Sequence, residues 1–375
     1  MNPFPNRRAV VLYAEDTPMP GINAAMPNQR YRQPRLSIEE RPLGALAPDH
    51  LRVEMLYAGI CGTDLHLVQA DPRTGYVRSS APASIPASGR IIGHEGVGRV
   101  LAVGDATHGV QVGDVVAFAS IDACLKCPTC LAGLPNQCPQ ARLVGMERDG
   151  LFATVTDLPA SLAHDVSAIA TDSAGLRAAA CLEPAGCALL ACQNAPVHAG
   201  DRVLVFGGGP IGLFAAIAAR QVFGAARVVM AEPAEARRRL ASEWCDAVVE
   251  PSGLDEALRD GVDVVLECSA ALHNVSRVFR RIAPGGRVVL LGRSGEALHL
   301  DAVDHMITNA ISIRGSRGHL GGALPLAIEC HRDGRLPMSA PITGVLDSLD
   351  ALADALCHPD RLTQAHCKLL ARIGG

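Results

Sequence analysis

The chain has 375 residues, of which 49% are apolar, and its 34 basic and 38 acidic side chains give a net charge of −4. This length predicts two domains, and the charge balance argues against nucleic acid or an anionic membrane surface as a partner. No apolar run of about 18 residues is present, so no membrane span is predicted. The thirteen cysteines, in a long chain whose start lacks a cleavable signal pattern, favour a cytoplasmic setting and metal binding over disulfides.

The first third of the chain is rich in Pro and Gly and predicts short β-strands separated by turns. The predicted strands are Arg8–Leu12, Leu51–Tyr57, Gly98–Val103 and Asp114–Ala119. Two proline-bearing stretches, Pro18–Pro34 and Asp71–Ser88, are predicted to be loops. These features indicate an irregular, β-rich first domain.

A regular alternation of strands and helices begins near residue 184 and predicts an α/β domain with a doubly wound parallel sheet. The six predicted strands are Arg202–Phe206, Arg227–Ala231, Ala247–Glu250, Val262–Cys268, Arg287–Leu291 and Ile311–Arg314. Helices are predicted over Ile211–Phe223 and Ala234–Trp244. The predicted domains are therefore residues 1–183, the dinucleotide-binding (Rossmann) domain 184–322, and a tail, 323–375, that returns to the first domain.

A glycine-rich turn follows the first strand of this domain directly, as Gly207-Gly208-Gly209-Pro210-Ile211-Gly212. Gly207 permits the tight turn, Gly209 the close approach of a pyrophosphate, and Gly212 the packing of helix on strand. Pro210 and Ile211 open the helix, whose N-terminus attracts the anion. The pattern predicts a dinucleotide cofactor.

The choice between NAD and NADP depends on residues after the second strand. Glu232 lies 20 residues after Gly212, where a carboxylate binds the ribose hydroxyls and repels a 2′-phosphate. Arg237 is placed to reach the ribose or a phosphate. NAD is therefore favoured, and the competing interpretation is that Arg237–Arg239 accept the 2′-phosphate of NADP.

Four cysteines lie close together in a lobe at about residues 122–140: Cys124, Cys127, Cys130 and Cys138. Four thiolates close a tetrahedral Zn²⁺ site without an open position, which predicts a structural zinc. The competing interpretation is four reduced cysteines without a metal, which would be prone to oxidation.

Three separated pieces supply ligands of the kind found in catalytic zinc sites. They are Gly59-Ile60-Cys61-Gly62-Thr63-Asp64-Leu65-His66, Gly93-His94-Glu95-Gly96-Val97-Gly98 and Leu182-Glu183-Pro184. Cys, His and a carboxylate leave one position of a tetrahedral zinc open to water or substrate. The sequence thus predicts two zinc ions per chain, one structural and one catalytic.

These blocks, in this order, resemble the zinc-containing medium-chain dehydrogenase/reductase family, nearest to its sorbitol and threonine dehydrogenase branches. The resemblance covers residues from about 50 to 320. It implies a GroES-like catalytic domain joined to the Rossmann domain, with the active site in the cleft between them. It also implies homodimers or homotetramers formed through the sheet edge, here Ile311–Gly315.

The family's site residues are expected at matching positions. Cys61 and His94 would be zinc ligands, with either Glu183 or Glu95 as the carboxylate ligand. Asp64 would hold the ring of His94, or would only cap a helix that starts at Leu65.

The resemblance also implies a path for the proton of the substrate. Thr63 would bind the substrate hydroxyl. His66 would continue a proton relay, unless it is simply a surface histidine.

The resulting prediction is an enzyme that transfers hydride between NAD and a small secondary alcohol or ketone, such as a polyol or amino alcohol. The alternatives are an NADPH-dependent biosynthetic carbonyl reductase and a catalytically idle nucleotide-binding scaffold.

Two departures from the family pattern bear on this prediction. The long Asp71–Ser88 stretch carries Arg73, Tyr76 and Arg78, and is either a solvated loop or a substrate lid that favours acidic or phosphorylated substrates. The helix before Gly224 is one residue longer than usual, which would shift the register of Glu232.

Overall fold

The structure is a computed structural model that describes residues 6–293, 295, 297–359, 362 and 365–374. The chain forms two compact units. The first unit comprises residues 1–183, 342–363 and 368–375, and the second comprises residues 184–341 and 364–367.

The first unit is β-rich, as its sequence predicts. Its first ten strands are β1 (Asn6–Asp16), β2 (Tyr31–Pro42), β3 (His50–Gly59), β4 (Arg90–Ile91), β5 (Glu95–Val103), β6 (Val115–Phe118), β7 (Ile121–Asp122), β8 (Arg142–Leu143), β9 (Val155–Pro159) and β10 (Ala163–Asp165). Its helices are α1 (Gly62–Leu67), α2 (Pro128–Leu131) and α3 (Ser173–Ala179), with 3₁₀ turns over Pro27–Gln29, Pro135–Gln137 and Ala160–Leu162.

The second unit alternates strands and helices. Its helices are α4 (Leu182–Asn194), α5 (Pro210–Ile217), α6 (Glu235–Ala241), α7 (Leu254–Ala257), α8 (His273–Val278), α9 (Val303–Thr308) and α10 (Ala323–Arg332). Helix α4 begins two residues before the boundary of the unit at residue 184. Its strands are β11 (Arg202–Phe206), β12 (Arg227–Ala231), β13 (Ala247–Val249), β14 (Val262–Glu267), β15 (Ile282–Leu290) and β16 (Ser312–Gly315). Short 3₁₀ turns cover Pro251–Gly253 and Phe279–Arg281.

All six strands of this unit are parallel, in the order β13-β12-β11-β14-β15-β16. This is the doubly wound order, in which the chain adds strands first on one side of the first strand and then on the other. The switch lies between β11 and β14. Ligands of such sheets bind at the carboxyl ends of the strands at this point. The glycine turn lies there, directly after β11, and β16 forms one edge of the sheet.

The helix before Gly224 ends in a π-helical turn, Ala218–Val222, which continues α5. A π turn holds more residues than an α turn. β12 then runs over Arg227–Ala231, and Glu232 directly follows its last residue.

The chain then returns to the first unit through β17 (Ile342–Leu346), α11 (Leu349–Cys357) and β18 (Lys368–Arg372). The main sheet of that unit runs β10-β6-β5-β3-β18-β17, and β9 also pairs with β3. Smaller sheets are β2-β1-β4 and β7-β8. One large apolar cluster of this unit combines residues of β1, β2, β3, β18 and α11 with residues of the connecting segments.

Two sequence predictions about segment boundaries were wrong. The tail does not leave the second unit at residue 323, because α10 buries Ala323, Leu324 and Ala327 within that unit and Leu324 packs on Gly186. The Pro18–Pro34 stretch is not all loop, since β2 starts at Tyr31 and pairs with Asp16 of β1. The domain against which a helix packs and the strand with which a segment pairs both depend on tertiary contacts. A local sequence pattern does not specify them.

No single helix of the described chain is both long and apolar enough to cross a membrane, although α3 and α4, with a 46° bend between them, satisfy the length and composition criteria as a pair.

Candidate active site

The first site begins at the turn that leads from β3 into α1. Cys61 is the N-cap residue of α1, and its backbone N–H donates to the Asp64 carboxylate (Oδ2, 3.0 Å). The helix starts at Gly62, so the expected start at Leu65 was wrong. Asp64 nevertheless caps the helix, as the alternative interpretation held, and this contact fixes the position of Cys61.

The other oxygen of Asp64 faces the imidazole of His94. Oδ1 lies 3.6 Å from Nδ1 of His94, and both side chains are almost fully buried. Neither atom has a hydrogen-bond partner in the described chain. One oxygen of Asp64 thus accepts from the N-cap of the helix, and the other faces the imidazole of His94 without a hydrogen bond.

Three side chains converge at this point: one ligand atom each of Cys61, His94 and Glu95 lies within 4.8 Å of the others. Burial lowers the pKa of His94, but the charges of Cys61 and Asp64 outweigh it and raise that pKa well above its ordinary value. The site therefore favours a cation. A thiolate, an imidazole and a carboxylate are the donor types of a catalytic zinc, so the residues fit the metal.

Lys368 of β18 reaches into the same site, which the sequence did not predict. Its ammonium donates to the Glu95 carboxylate and to the carbonyl of Ile60 (2.8 Å). Gly59 makes room for it, because a Cβ at that position would lie 2.7 Å from Cε of Lys368. The ion pair holds the Glu95 carboxylate close to Cys61 and His94.

Glu183, the other predicted carboxylate ligand, is not part of this three-residue group. Its Oε1 accepts a hydrogen bond from Ser120 (2.7 Å), and the side chain is buried. Its charge is still close enough to contribute to a raised pKa of Glu95, for which burial is the main cause. Glu95, rather than Glu183, completes the compact group with Cys61 and His94.

Thr63 and His66 both lie on α1, three residues apart, which places them on one side of the helix. Each is partly buried. Burial, and then the charge of Arg78, lower the pKa of His66. A histidine kept neutral in this way can accept a proton at neutral pH.

The four cysteines of the lobe form the second metal-binding group. Measured between Sγ atoms, neighbouring thiols are separated by 3.5–4.0 Å. Zinc–sulfur bonds of about 2.3 Å in a tetrahedron require sulfur–sulfur edges of about 3.8 Å. Backbone N–H groups of Lys126 and Cys127 also lower the pKa of Cys124 to about 6, which favours the thiolate. The group therefore fits a structural zinc.

The dinucleotide site of the second unit has the predicted glycine geometry. Gly207 adopts a positive φ of 92°, and a Cβ at Gly212 would lie 1.9 Å from the carbonyl oxygen of Gly207. Gly209 is the N-cap of α5, and Pro210 is its first residue. Three N-terminal N–H groups of the helix therefore point out of the turn, as phosphate binding requires.

Glu232 is tied to this turn. Its carboxylate accepts hydrogen bonds from the backbone N–H of Gly208 (2.6 Å) and of Ala234 (2.8 Å), and the side chain is buried. The negative charge is thus fixed beside the glycine turn.

The three arginines that were expected to compete for a 2′-phosphate are engaged elsewhere. Arg237 donates to the carbonyl of His366, Arg238 to the carbonyl of Glu232 and to Glu250, and Arg239 to Glu235. A 2′-phosphate would have to displace one of these contacts. None of the described contacts of Arg237 is with the glycine turn.

A further buried acid lies at the same end of the sheet and had not been singled out. Glu267 ends β14, accepts from the backbone N–H and the hydroxyl of Ser269, and is fully enclosed. Ser269 lies against Gly207, since a Cβ on that glycine would be 3.1 Å from it. The sequence signal that could have identified Glu267 is its position, since it is an acidic residue at the end of a predicted parallel strand.

Family models match a long segment of each unit. Residues 47–168 match the alcohol dehydrogenase GroES-like domain and residues 210–330 match the zinc-binding dehydrogenase family. The L-threonine 3-dehydrogenase of Streptomyces coelicolor is 31% identical over 334 residues, which are 86% of this chain and 93% of the relative. The chain belongs to the zinc-containing medium-chain dehydrogenase family. This dehydrogenase is therefore an oxidoreductase with a GroES-like and a Rossmann unit.

Two solved structures are similar to this dehydrogenase over nearly the whole chain. One is an alcohol dehydrogenase from Escherichia coli CFT073 in complex with NADH, 25% identical, with a TM-score of 0.82 over 99% of this chain and 100% of that one. The other is a zinc-binding dehydrogenase from Sinorhizobium meliloti 1021 bound to NADP, 26% identical, with a TM-score of 0.79 over 98% of this chain and 99% of that one. Nicotinamide dinucleotides thus occupy both relatives, and the two differ in which one.

Proposed function

We propose that this dehydrogenase oxidises a small secondary alcohol, such as a polyol, an amino alcohol or a hydroxy acid, with NAD and a catalytic zinc. The convergence of Cys61, His94 and Glu95 within 4.8 Å carries the proposal, because a structural site would have no need of a three-residue set that leaves a metal position open. The relative that acts on L-threonine, a secondary alcohol, supports the substrate class.

Each residue of the site then has a role in moving charge. Zinc held by Cys61, His94 and Glu95 would supply Lewis acidity and lower the pKa of the bound alcohol. Thr63 accepts the hydrogen bond of the substrate hydroxyl, and its own hydroxyl passes the proton on to His66, which is neutral and so able to receive it. Asp64 keeps His94 in one orientation.

NAD is proposed over NADP because of the charges beside the glycine turn. The buried carboxylate of Glu232 repels a 2′-phosphate, and Arg237, Arg238 and Arg239 are occupied by other partners. The NADPH-dependent carbonyl reductase remains the competing function. Initial rates with each cofactor, at saturating secondary alcohol and ketone, separate the two.

Zinc content per chain tests the catalytic proposal before any substrate is known. We expect two zinc ions in the wild type, one in Cys61→Ala, and one in Cys138→Ala, with alcohol oxidation lost only in the first if the lobe variant stays folded. The same measurement on Glu95→Gln and Glu183→Gln identifies the carboxylate ligand. One zinc in the wild type, unchanged by Cys61→Ala, would support the idle scaffold instead.

We propose further that the active form is a homodimer or homotetramer joined through β16. This strand is an edge of the sheet with mostly exposed side chains, and Val303 and Ile307 of the preceding helix are exposed apolar residues. Pairing of edge strands would satisfy the free backbone groups and cover these side chains. Light scattering on Ile307→Glu tests this, since the variant should have a lower mass than the wild type. None of the thirteen cysteines forms a disulfide in the described part of the chain, which supports the cytoplasmic setting we propose.

A further inference from the structure

The two long stretches of the first unit pack against each other and are not independent surface loops. The backbone N–H of Val77 donates to the carbonyl of Tyr31 (2.9 Å), and that of Asn28 to the carbonyl of Ser79 (3.1 Å). The guanidinium of Arg32 lies over the ring of Tyr76. The interpretation of Asp71–Ser88 as a solvated loop is therefore wrong for its centre.

Apolar side chains anchor this segment in the core. Val77 and Ile85 are 1% and 4% exposed and belong to a large apolar cluster of the unit, together with Tyr31. A segment held in this way presents its outward-facing side chains in fixed positions. Arg78, directly after Val77, is one of these side chains and is exposed.

Arg78 lies on a short hairpin that starts where α1 ends. The N–H of Arg78 donates to the carbonyl of Gln69 (2.9 Å), and the N–H of Asp71 donates to the carbonyl of Tyr76 (2.8 Å). Gly75, with a φ of 74°, closes the turn. Because Gln69 comes two residues after the end of α1, this register brings Arg78 beside the helix that carries Cys61, Thr63 and His66.

The charge of Arg78 is not neutralised by a carboxylate. Two nearby arginines have acidic partners, since Arg30 pairs with Asp16 and Arg73 with Asp71. The guanidinium of Arg32 lies over the ring of Tyr76 instead. Arg78 instead donates to the neutral amide oxygen of Gln69 (2.8 Å), and within the described residues it has no ion pair. Its charge is nevertheless felt at His66, whose pKa it helps to lower.

We propose that Arg78 recognises the anionic group, a carboxylate or a phosphate, of the hydroxylated substrate. A guanidinium carried by an anchored hairpin next to the helix of the proton relay suits a planar, bidentate contact to such a group. This inference rests on the proposed function for the position of the substrate. The inference applies to Arg78 and not to Arg73, which is exposed but already forms an ion pair with Asp71.

The test is direct binding of matched probes to the zinc-loaded enzyme saturated with NADH, measured by titration calorimetry. Sorbitol is the neutral probe, gluconate the carboxylate probe and sorbitol 6-phosphate the phosphate probe. We expect at least one anionic probe to bind about tenfold tighter than sorbitol to the wild type, as for one charge-assisted hydrogen bond. Arg78→Gln should abolish that preference, and Arg78→Lys should keep part of it. Arg73→Gln is the matched control and should behave like the wild type.

Four results would overturn the inference: no anionic preference in the wild type, undetectable binding of all probes, a preference that survives in Arg78→Gln, or an equal loss for sorbitol. Weaker NADH binding by Arg78→Gln would assign the residue to the cofactor instead and also overturn it. A turnover assay with the same probes distinguishes the two proposals. An Arg78-dependent preference without any alcohol oxidation contradicts the proposed function alone, whereas oxidation without an anionic preference contradicts the role of Arg78 alone.

Discussion

Lys368 and Glu95 form an ion pair in which the two side chains are only 1% and 2% exposed. In the zinc-free protein, removal of one member leaves the other as an unpaired buried charge, which costs about 3–5 kcal/mol. We therefore expect Lys368→Met to lower the free energy of unfolding by that order and to disturb the zinc site. Urea denaturation and zinc content measure the two effects.

The double variant Lys368→Met/Glu95→Gln is the control for this pair. It removes both charges, so it should recover a large part of the stability lost in the single variant. If Lys368→Met alone were as stable as the wild type, the ion pair would have no structural importance. Its position at the proposed zinc site would then need another explanation.

The contacts of Glu232 predict a change in cofactor preference. Glu232→Ala removes the acceptor for Gly208 and Ala234 and also the charge that repels a 2′-phosphate. We expect weaker NADH binding, a reduced preference for NADH over NADPH, and a stability loss of about 1–3 kcal/mol for the unpaired N–H groups. Fluorescence titration with both cofactors measures the preference. Glu243→Ala, which alters an exposed acid of the same unit, should leave the preference unchanged. An unaltered preference in Glu232→Ala would contradict the NAD assignment.

The lowered pKa of His66 predicts how stability depends on pH. The folded protein binds this proton less readily than the unfolded chain, whose histidine titrates near the ordinary value of 6.5. The stabilisation is therefore complete above pH 6.5 and is lost as the pH falls through the folded pKa. The melting temperature of the wild type should fall more between pH 7 and pH 5 than that of His66→Gln.

Arg78→Gln provides the control for His66, because its charge contributes to the shift after burial. This variant should show a pH dependence between those of the wild type and His66→Gln. Identical curves for the wild type and His66→Gln would mean that His66 titrates as an ordinary surface histidine.

Ala270, near the glycine turn, has a φ of 65°, which is unfavourable for any residue with a Cβ. Ala270→Gly should therefore raise the free energy of unfolding by about 1 kcal/mol and the melting temperature by a few degrees. Gly292→Ala is the opposite case, because its Cβ would lie 2.2 Å from the backbone nitrogen of Ala270. Calorimetry on both variants tests the pair, and a destabilised Ala270→Gly would contradict the strain.

The strands of the second unit were predictable because they are buried on both faces. Arg202–Phe206 and Arg227–Ala231 are continuous apolar runs, and the structure gives β11 and β12 these same bounds. The glycine turn was predictable for a related reason, since tight turns and close packing leave a local trace in the sequence.

Lys368 was not predictable, because its partner Glu95 is 273 positions away in the chain and a lone lysine near a terminus looks like a surface residue. The packing of Tyr76 and Val77 on Tyr31 and Arg32 was not predictable either, because these contacts also join residues that are far apart in the chain. The proline-rich composition indicated loops correctly in part, but composition does not show which loops find a common apolar anchor.

Strand β18 lies between β3 and β17 in the main sheet and carries Lys368. During synthesis, the first 183 residues leave the ribosome long before this strand exists. The nascent first unit thus waits with one edge of β3 incompletely paired and with Glu95 lacking its counter-charge, while the second unit is already complete enough to fold. A chain that stops a few residues before Lys368 would consequently be a target for quality-control proteases, even though it contains every predicted zinc ligand.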